Sequence, residues 1–95
     1  MNIDITARHF TPSEYLKEFV FQKVQKILKF NPLIINCHVV LTKESHIEKV
    51  EIILHLKGND FIATDSSDNF EKSINVVIDK IISQVKKQHD KSIKH

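Results

Sequence analysis

The sequence predicts one α+β domain in which two helices pack on one face of a four-stranded mixed sheet, in the order β-α-β-β-β-α. Three observations lead to this prediction. Apolar and polar residues alternate in several short segments, as in strands with one buried face. Two longer segments repeat apolar residues every three or four positions, as in amphipathic helices. With 95 residues the chain is long enough for one such domain and too short for two, so residues 1–95 are assigned to a single domain.

The N-terminal pattern predicts a strand followed by a helix. Residues 2–6 alternate strictly between polar and apolar, which is typical of a half-buried strand. Thr11 suits an N-cap, because Pro12 then occupies the first helical position and Glu14 completes a capping box. The sequence therefore predicts a helix that begins at Pro12.

The body of this helix carries a single apolar face. Phe10 and Tyr15 occupy the two positions of a hydrophobic staple around its start. Apolar residues then recur at helical spacing, at Leu16, Phe19, Val20, Val24, Ile27 and Leu28. Asn31 and Pro32 are expected to stop the helix, because proline disrupts helical hydrogen bonding.

Three further strands are expected in the middle of the chain. Residues 34–41 are mostly β-branched and apolar, as in a largely buried strand, and the polar residues 42–46 predict a turn. Residues 50–56 alternate between apolar and polar, as in a strand with one wet face. Gly58 marks a tight hairpin turn, and residues 61–65 form a shorter last strand.

A second, longer helix runs towards the C-terminus. Asp68 and Glu71 have the spacing of a capping box. Apolar residues follow with helical periodicity, at Phe70, Ile74, Val77, Ile78, Ile81 and Val85. The strand–helix–strand start favours a parallel first pair, and the short turns favour an antiparallel meander for the remaining strands.

Composition excludes several classes of protein. The single cysteine, Cys37, cannot form an internal disulfide or a thiolate-rich zinc site. No apolar run approaches the ~20 residues of a membrane span, and no signal peptide follows Met1, so we expect a cytoplasmic protein without a membrane partner. A net charge of +2 and a pI of 8.7 do not by themselves indicate a nucleic-acid binder.

Neither catalysis nor metal binding is expected. The six histidines show no spacing typical of metal ligands, and Cys37 alternates with apolar residues as a buried thiol does. Gly58 is the only glycine, which excludes a glycine-rich phosphate loop. Asp65 and Asp68 are better explained as helix caps than as catalytic carboxylates. We therefore predict no enzymatic activity, no catalytic residue, no metal and no cofactor.

Lysines form a line along one flank of the second helix. With a rotation of about 100° per residue, the four positions Lys80, Lys87, Lys91 and Lys94 fall within about 60° of one another. Between Lys80 and the last residue there are five lysines and a single acid, Asp90.

The first helix carries a weaker version of this pattern. Its lysines, which include Lys23 and Lys26, outnumber its acids. By the same rotation Lys23 falls at the edge of the apolar stripe, beside Phe19 and Phe30, where packing alone would favour Leu or Ala. The two helices together predict a surface that binds a polyanion.

Three segments resemble the ribosome hibernation promoting factor family, which includes the ribosome-associated inhibitor. They are residues 3–9, 15–26 and 68–87, and their order and spacing make the resemblance extend over essentially the whole chain. The resemblance implies a protein that binds the small ribosomal subunit in the channel between its head and body. There it would block the tRNA and mRNA sites and silence translation in stationary phase or stress.

The resemblance also implies roles for individual residues. Basic side chains of both helices would contact rRNA phosphates, at Lys23, Lys26, Lys80, Lys86, Lys87, Lys91 and Lys94. His89 stands where lysine is common in relatives, so the charge there would depend on pH. By the same resemblance, a chain that ends at His95 would be expected to lack the second, self-dimerising domain of the family's long form. The resemblance therefore implies the short form, a monomer when free, which pairs ribosomes together with a second small modulation factor.

Two other classes stay open. A free double-stranded-RNA-binding module also has a three-strand meander followed by a helix, but it carries lysines where this chain has Asp68 and Glu71. A protein–protein adaptor without RNA would bind its partner with little dependence on salt.

Overall fold

Six elements of secondary structure follow one another in the order that the sequence predicts. The computed structural model describes residues 2–29 and 34–93. The elements are β1 (Asn2–Arg8), α1 (Glu14–Leu28), β2 (Ile34–Glu44), β3 (Ile47–Leu56), β4 (Asn59–Ser67) and α2 (Phe70–Ile93). The turn predicted at residues 42–46 is shorter in the structure, because Thr42 and Glu44 still pair with β3.

The four strands form one mixed sheet in the order β1-β2-β3-β4. β1 lies parallel to β2, with Ile5 opposite Val39, and α1 makes the crossover between them. The β2–β3 and β3–β4 pairs are antiparallel, as predicted. Gly58 adopts a φ of 84° in the turn between β3 and β4, a left-handed conformation that glycine tolerates better than other residues.

Both helices pack on one face of this sheet, which confirms the predicted α+β architecture. The residues that have no exposed surface include Val20, Val24 and Ile27 from α1; Cys37, Val39 and Leu41 from β2; Val50, Ile52 and Leu54 from β3; and Ile74, Val77 and Ile81 from α2. Each fully buried aliphatic side chain contributes about 1.5–3 kcal/mol through the hydrophobic effect. The helices therefore occupy fixed positions, and their outer surfaces are available to a partner.

α1 begins later than the capping pattern predicts. Ser13 has extended backbone angles, and its hydroxyl oxygen accepts a hydrogen bond of 3.0 Å from the Leu16 amide, which makes it the N-cap. The prediction of Thr11 as the N-cap is therefore wrong. The predicted staple is wrong as well, because the Phe10 ring stacks on Phe70 with 4.9 Å between centroids, whereas Tyr15 is exposed.

α2 is capped by Asn69 and not by Asp68. The Asn69 side-chain oxygen accepts hydrogen bonds from the amides of Glu71 and Lys72. The Asp68 carboxylate instead lies 3.3 Å from the Lys72 ammonium. The buried Ser73 hydroxyl, which donates to the Glu48 carbonyl at 2.9 Å, attaches the first turn of α2 to β3.

The C-terminal end of α1 agrees only in part with the sequence pattern. The helix ends at Leu28, and Lys29 is its C-cap. The stop predicted at Asn31 and Pro32 lies outside the described residues. Within the described part of the chain, no helix is long and apolar enough to cross a membrane.

Candidate nucleic-acid interface

Lys23 and Lys26 lie on the same side of α1, because residues three positions apart are neighbours on a helix surface. Lys23 is half-buried, and its ammonium lies 5.3 Å from the centroid of the Phe19 ring, a distance typical of a cation–π contact. Lys26 is exposed. Lys23 thus lies beside Phe19, as helical rotation predicts, whereas Phe30 lies outside the described residues.

The charges around Lys23 oppose its protonation. The neighbouring Lys26 ammonium lowers the pKa of Lys23, and partial burial lowers it further. The carboxylates of Asp79 and Glu71, both on α2, act in the opposite direction with smaller effect. Two like charges therefore lie beside each other on α1, and a bound anion would reduce their repulsion.

The lysines of α2 fall on two different flanks of that helix. Lys80 and Lys87 are seven residues apart and share one flank, whereas Lys86 is rotated by about 100° from Lys87. The Lys80 ammonium donates a hydrogen bond of 2.9 Å to the Thr64 carbonyl and lies 3.8 Å from the Asp65 carboxylate. Lys80 is thereby attached to β4.

An open groove of about 590 Å³ is lined by residues of α2 and of β4, the last strand of the sheet. Lys80 and Lys87 lie along it together with the exposed apolar side chains of Ile62 and Val76. The Gln84 amide donates a hydrogen bond of 3.1 Å to the Ile62 carbonyl inside this groove. Side chains of α2 thus cover two of the carbonyl groups that an edge strand leaves without a strand partner.

The structure assigns the seven predicted binding lysines to separate places. It brings Lys23 together with Lys26, brings Lys80 together with Lys87, and leaves Lys86 on another flank of α2. Two positions cannot be assigned: the side chain of Lys91 lies outside the described part of α2, and Lys94 lies outside the described residues altogether. The predicted line on α2 is therefore described only from Lys80 to Lys87.

Sequence reasoning missed one exposed residue on α1. The staple pattern predicts that Tyr15 packs against Phe10, yet 66% of the surface of Tyr15 is accessible to solvent. Its helical position offered a signal, because Tyr15 lies eleven residues before Lys26, which places the two within about 20° of each other around the helix axis.

Two histidines and the cysteine have polar or buried surroundings within the described part of the chain. His38 shares a hydrogen bond of 2.9 Å with the Thr6 hydroxyl, and His55 lies 2.8 Å from the Asp60 carboxylate. Cys37 is buried in the core, as predicted. Among the described residues, no three histidine, cysteine or acidic side chains form a group that could hold a metal ion.

Comparison with known proteins decides the family. A profile of the Sigma 54 modulation protein / S30EA ribosomal protein family matches residues 3–93. The chain belongs to this family. A protein of Escherichia coli named ribosome hibernation promoting factor is 30% identical to the chain over 95 residues, and the alignment covers all of both sequences. Its namesake in Pseudomonas putida is 25% identical over 91 residues, covering 96% of this chain and 89% of the relative.

Two solved structures have the fold of this S30EA-family chain. A ribosomal subunit interface protein from Coxiella burnetii superimposes with a TM-score of 0.88 at 23% identity, covering 95% of this chain and 99% of the other. The N-terminal domain of Protein Y from Thermus thermophilus gives a TM-score of 0.84 at 20% identity, with coverages of 92% and 98%. The S30EA family is one of ribosome-associated factors and not of enzymes, which confirms two predictions: the family and the absence of enzymatic activity.

Proposed function

We propose that this S30EA-family protein is a ribosome hibernation factor that binds the small ribosomal subunit. The proposed site is the channel between head and body, where the protein would block tRNA and mRNA and silence translation in stationary phase or stress. Full-length relatives named ribosome hibernation promoting factor support the general role. The structural observation that carries the proposal is the Lys23–Lys26 pair, two neighbouring cations on α1 of which one lowers the pKa of the other.

Basic side chains of both helices are the proposed contacts with rRNA phosphates, namely Lys23, Lys26, Lys80, Lys86, Lys87, Lys91 and Lys94. A lysine ammonium neutralises a phosphate as a point charge, without the two-pronged geometry of arginine, so these contacts would recognise the backbone rather than base sequence. Lys80 is expected to contribute less than Lys87, because Asp65 already lies 3.8 Å from its ammonium.

The proposal also covers where the protein acts and in which oligomeric state. The protein would act in the cytoplasm as one ribosome-binding domain spanning residues 1–95, monomeric until it binds. Pairing of inactive ribosomes would require a second small modulation factor. Neither a cofactor nor a membrane has a part in this proposal.

A free double-stranded-RNA-binding module is a poorer interpretation. Such a module would meet phosphates at the start of α2, and there the Asp68–Lys72 ion pair and Glu71 leave no net positive charge. A protein–protein adaptor has one observation in its favour, the exposed Ile62 and Val76 in the groove beside β4. Salt distinguishes an adaptor from an RNA-binding protein. Binding to RNA phosphates weakens as salt rises, whereas binding through apolar contacts does not, because no counterions compete for it.

Co-sedimentation with purified small subunits at fixed magnesium tests the proposal. Binding should weaken with salt by roughly 0.7–0.9 log units per phosphate contact for each tenfold rise in concentration. Prior occupancy of the subunit by mRNA and tRNA should reduce binding, because the proposed site overlaps theirs. A flat salt response would favour the adaptor, and unchanged binding to occupied subunits would contradict the channel site.

A further inference from the structure

Tyr15 is a large aromatic side chain that the core does not use. It lies in the first turn of α1, and 66% of its surface is exposed. It is the only tyrosine in a chain without tryptophan. Its ring lies 6.3 Å from the Phe19 ring at an interplanar angle of 37°, so the two aromatic side chains form one continuous surface.

This aromatic surface continues directly into the lysine pair of α1. The spacing from Tyr15 to Phe19 and from Phe19 to Lys23 is four residues, and Lys26 follows three residues later. Residues at this spacing lie above one another on one side of a helix. The ammonium of Lys23 lies 5.3 Å from the Phe19 ring, so the side of α1 changes from aromatic to cationic within two turns.

Polar groups that suit a nucleobase edge surround the two rings. An open groove of about 240 Å³ is lined by Tyr15, Glu18, Phe19 and Gln22. The Glu18 carboxylate can accept hydrogen bonds from amino or imino groups, and the Gln22 amide can both donate and accept them. The carboxylate of Glu71, close enough to raise the pKa of Tyr15, makes this end of α1 unfavourable for a phosphate. A neutral, flat and polar-edged group fits there better than an anion.

We propose that Tyr15 and Phe19 form a subsite for an unpaired base of RNA, whose neighbouring phosphates bind to Lys23 and Lys26. The inference rests on the proposed ribosomal role and deepens it, because it adds stacking of one base to contacts with the backbone. Proteins that bind single-stranded RNA combine stacking on aromatic side chains with a positively charged path for the phosphates. Stacking tolerates any base, so the subsite selects unpaired nucleotides over paired ones.

The fluorescence of Tyr15 provides a direct test, since no other tyrosine or tryptophan contributes to the signal. A short single-stranded RNA should quench the emission on binding, whereas inorganic polyphosphate, a polyanion without bases, should bind without stacking and leave the emission nearly unchanged. Equal quenching by both ligands would overturn the inference.

A pair of variants separates stacking from a general effect of removing an aromatic side chain. Tyr15→Ala should weaken binding of the RNA and of small subunits about tenfold, and Tyr15→Phe should restore it, because a phenyl ring also stacks. Phe21→Ala is the matched control: Phe21 is 47% exposed and lies on α1 about 120° away from Tyr15. Thermal melts would verify that all three variants fold.

The outcomes distinguish the subsite from the wider function. If Tyr15→Ala binds RNA and small subunits as tightly as Phe21→Ala does, the base subsite is wrong, while the proposed ribosomal role stands. If the unmodified protein fails to bind small subunits, the ribosomal role itself is wrong. Binding of polyphosphate that is as sensitive to Tyr15→Ala as binding of RNA would also overturn the subsite.

Discussion

Lys23 on α1 and Lys80 on α2 carry the same charge in opposite surroundings. Lys23 makes no ion pair within the described residues and lies beside a second lysine, which lowers its pKa. Lys80 donates a hydrogen bond to the Thr64 carbonyl and has the Asp65 carboxylate nearby. One cation is therefore destabilised in the free protein, and the other already has partners.

The difference shows that whether a lysine on a helix is free to bind a ligand depends on the element that packs beside it. Helical rotation alone placed Lys80 and Lys87 on one basic line. In the structure β4 lies against that flank, so Lys80 has a structural role in addition to the proposed contact. We therefore expect phosphate binding to depend more on the α1 pair than on Lys80.

Removal of the α1 pair should have the largest effect on binding. The double variant Lys23→Gln/Lys26→Gln should lower the salt dependence of small-subunit binding by about 1.5 log units per tenfold change in salt, which corresponds to two lost contacts. Lys17→Gln/Lys72→Gln is the matched control, because it removes the same charge from lysines that pair with Glu14 and Asp68. Equal losses in the two double variants would mean that only net charge matters.

Within α2, variants of Lys87 and Lys80 should affect ribosome binding and protein stability differently. Lys87→Met should weaken binding by one contact and change the free energy of unfolding by less than about 0.5 kcal/mol, as expected for a surface site. Lys80→Met should reduce binding less and destabilise the fold by about 0.5–1 kcal/mol, because the Thr64 carbonyl loses a partly exposed hydrogen bond. Co-sedimentation and urea denaturation measure the two quantities. The reverse ranking would contradict the structural role of Lys80.

The position at which α1 begins can be tested by changing its N-cap. Ser13→Ala should destabilise the protein by about 1 kcal/mol, because the Leu16 amide loses its acceptor. Thr11→Ala, two residues earlier, should change stability by less than about 0.5 kcal/mol. A shift in the denaturation midpoint for Thr11→Ala but not for Ser13→Ala would place the helix start where the sequence pattern suggested.

The smallest stability effect is expected for Lys23→Leu. Leucine can cover the Phe19 ring as lysine does, and it removes the repulsion with Lys26, so the melting temperature should stay equal or rise slightly. The affinity for small subunits should nevertheless fall, because one phosphate contact is lost. A variant that binds like the parent would leave the unusual position of Lys23 without a functional explanation.

The fold follows from sequence because its signals agree at every level. Alternation in β1 and β3, helical periodicity in α1 and α2, and short turns between the last three strands all favour one architecture. The two helix starts were misassigned because capping residues cluster there. Thr11 and Ser13 can both cap a helix. In the structure Ser13 is the N-cap, and Phe10 stacks on Phe70, a tertiary contact that the local sequence pattern does not contain.

The candidate site was only partly predictable. The unusual position of Lys23 could be recognised, because a charge at the edge of an apolar stripe conflicts with the local pattern. The contacts of Lys80 and Gln84 with β4 could not, since they join residues 16 and 22 positions apart along the chain. Tyr15 was missed because a plausible staple explained its position without reference to its exposure.

The buried position of Cys37 has a consequence for redox chemistry. Burial raises the pKa of its thiol to about 12, so almost no thiolate is present at neutral pH. Peroxides and thiol reagents react with the thiolate, which means that the folded core protects this sulfur from oxidation. The rate at which a thiol reagent labels Cys37 would therefore report how often the sheet and the helices separate.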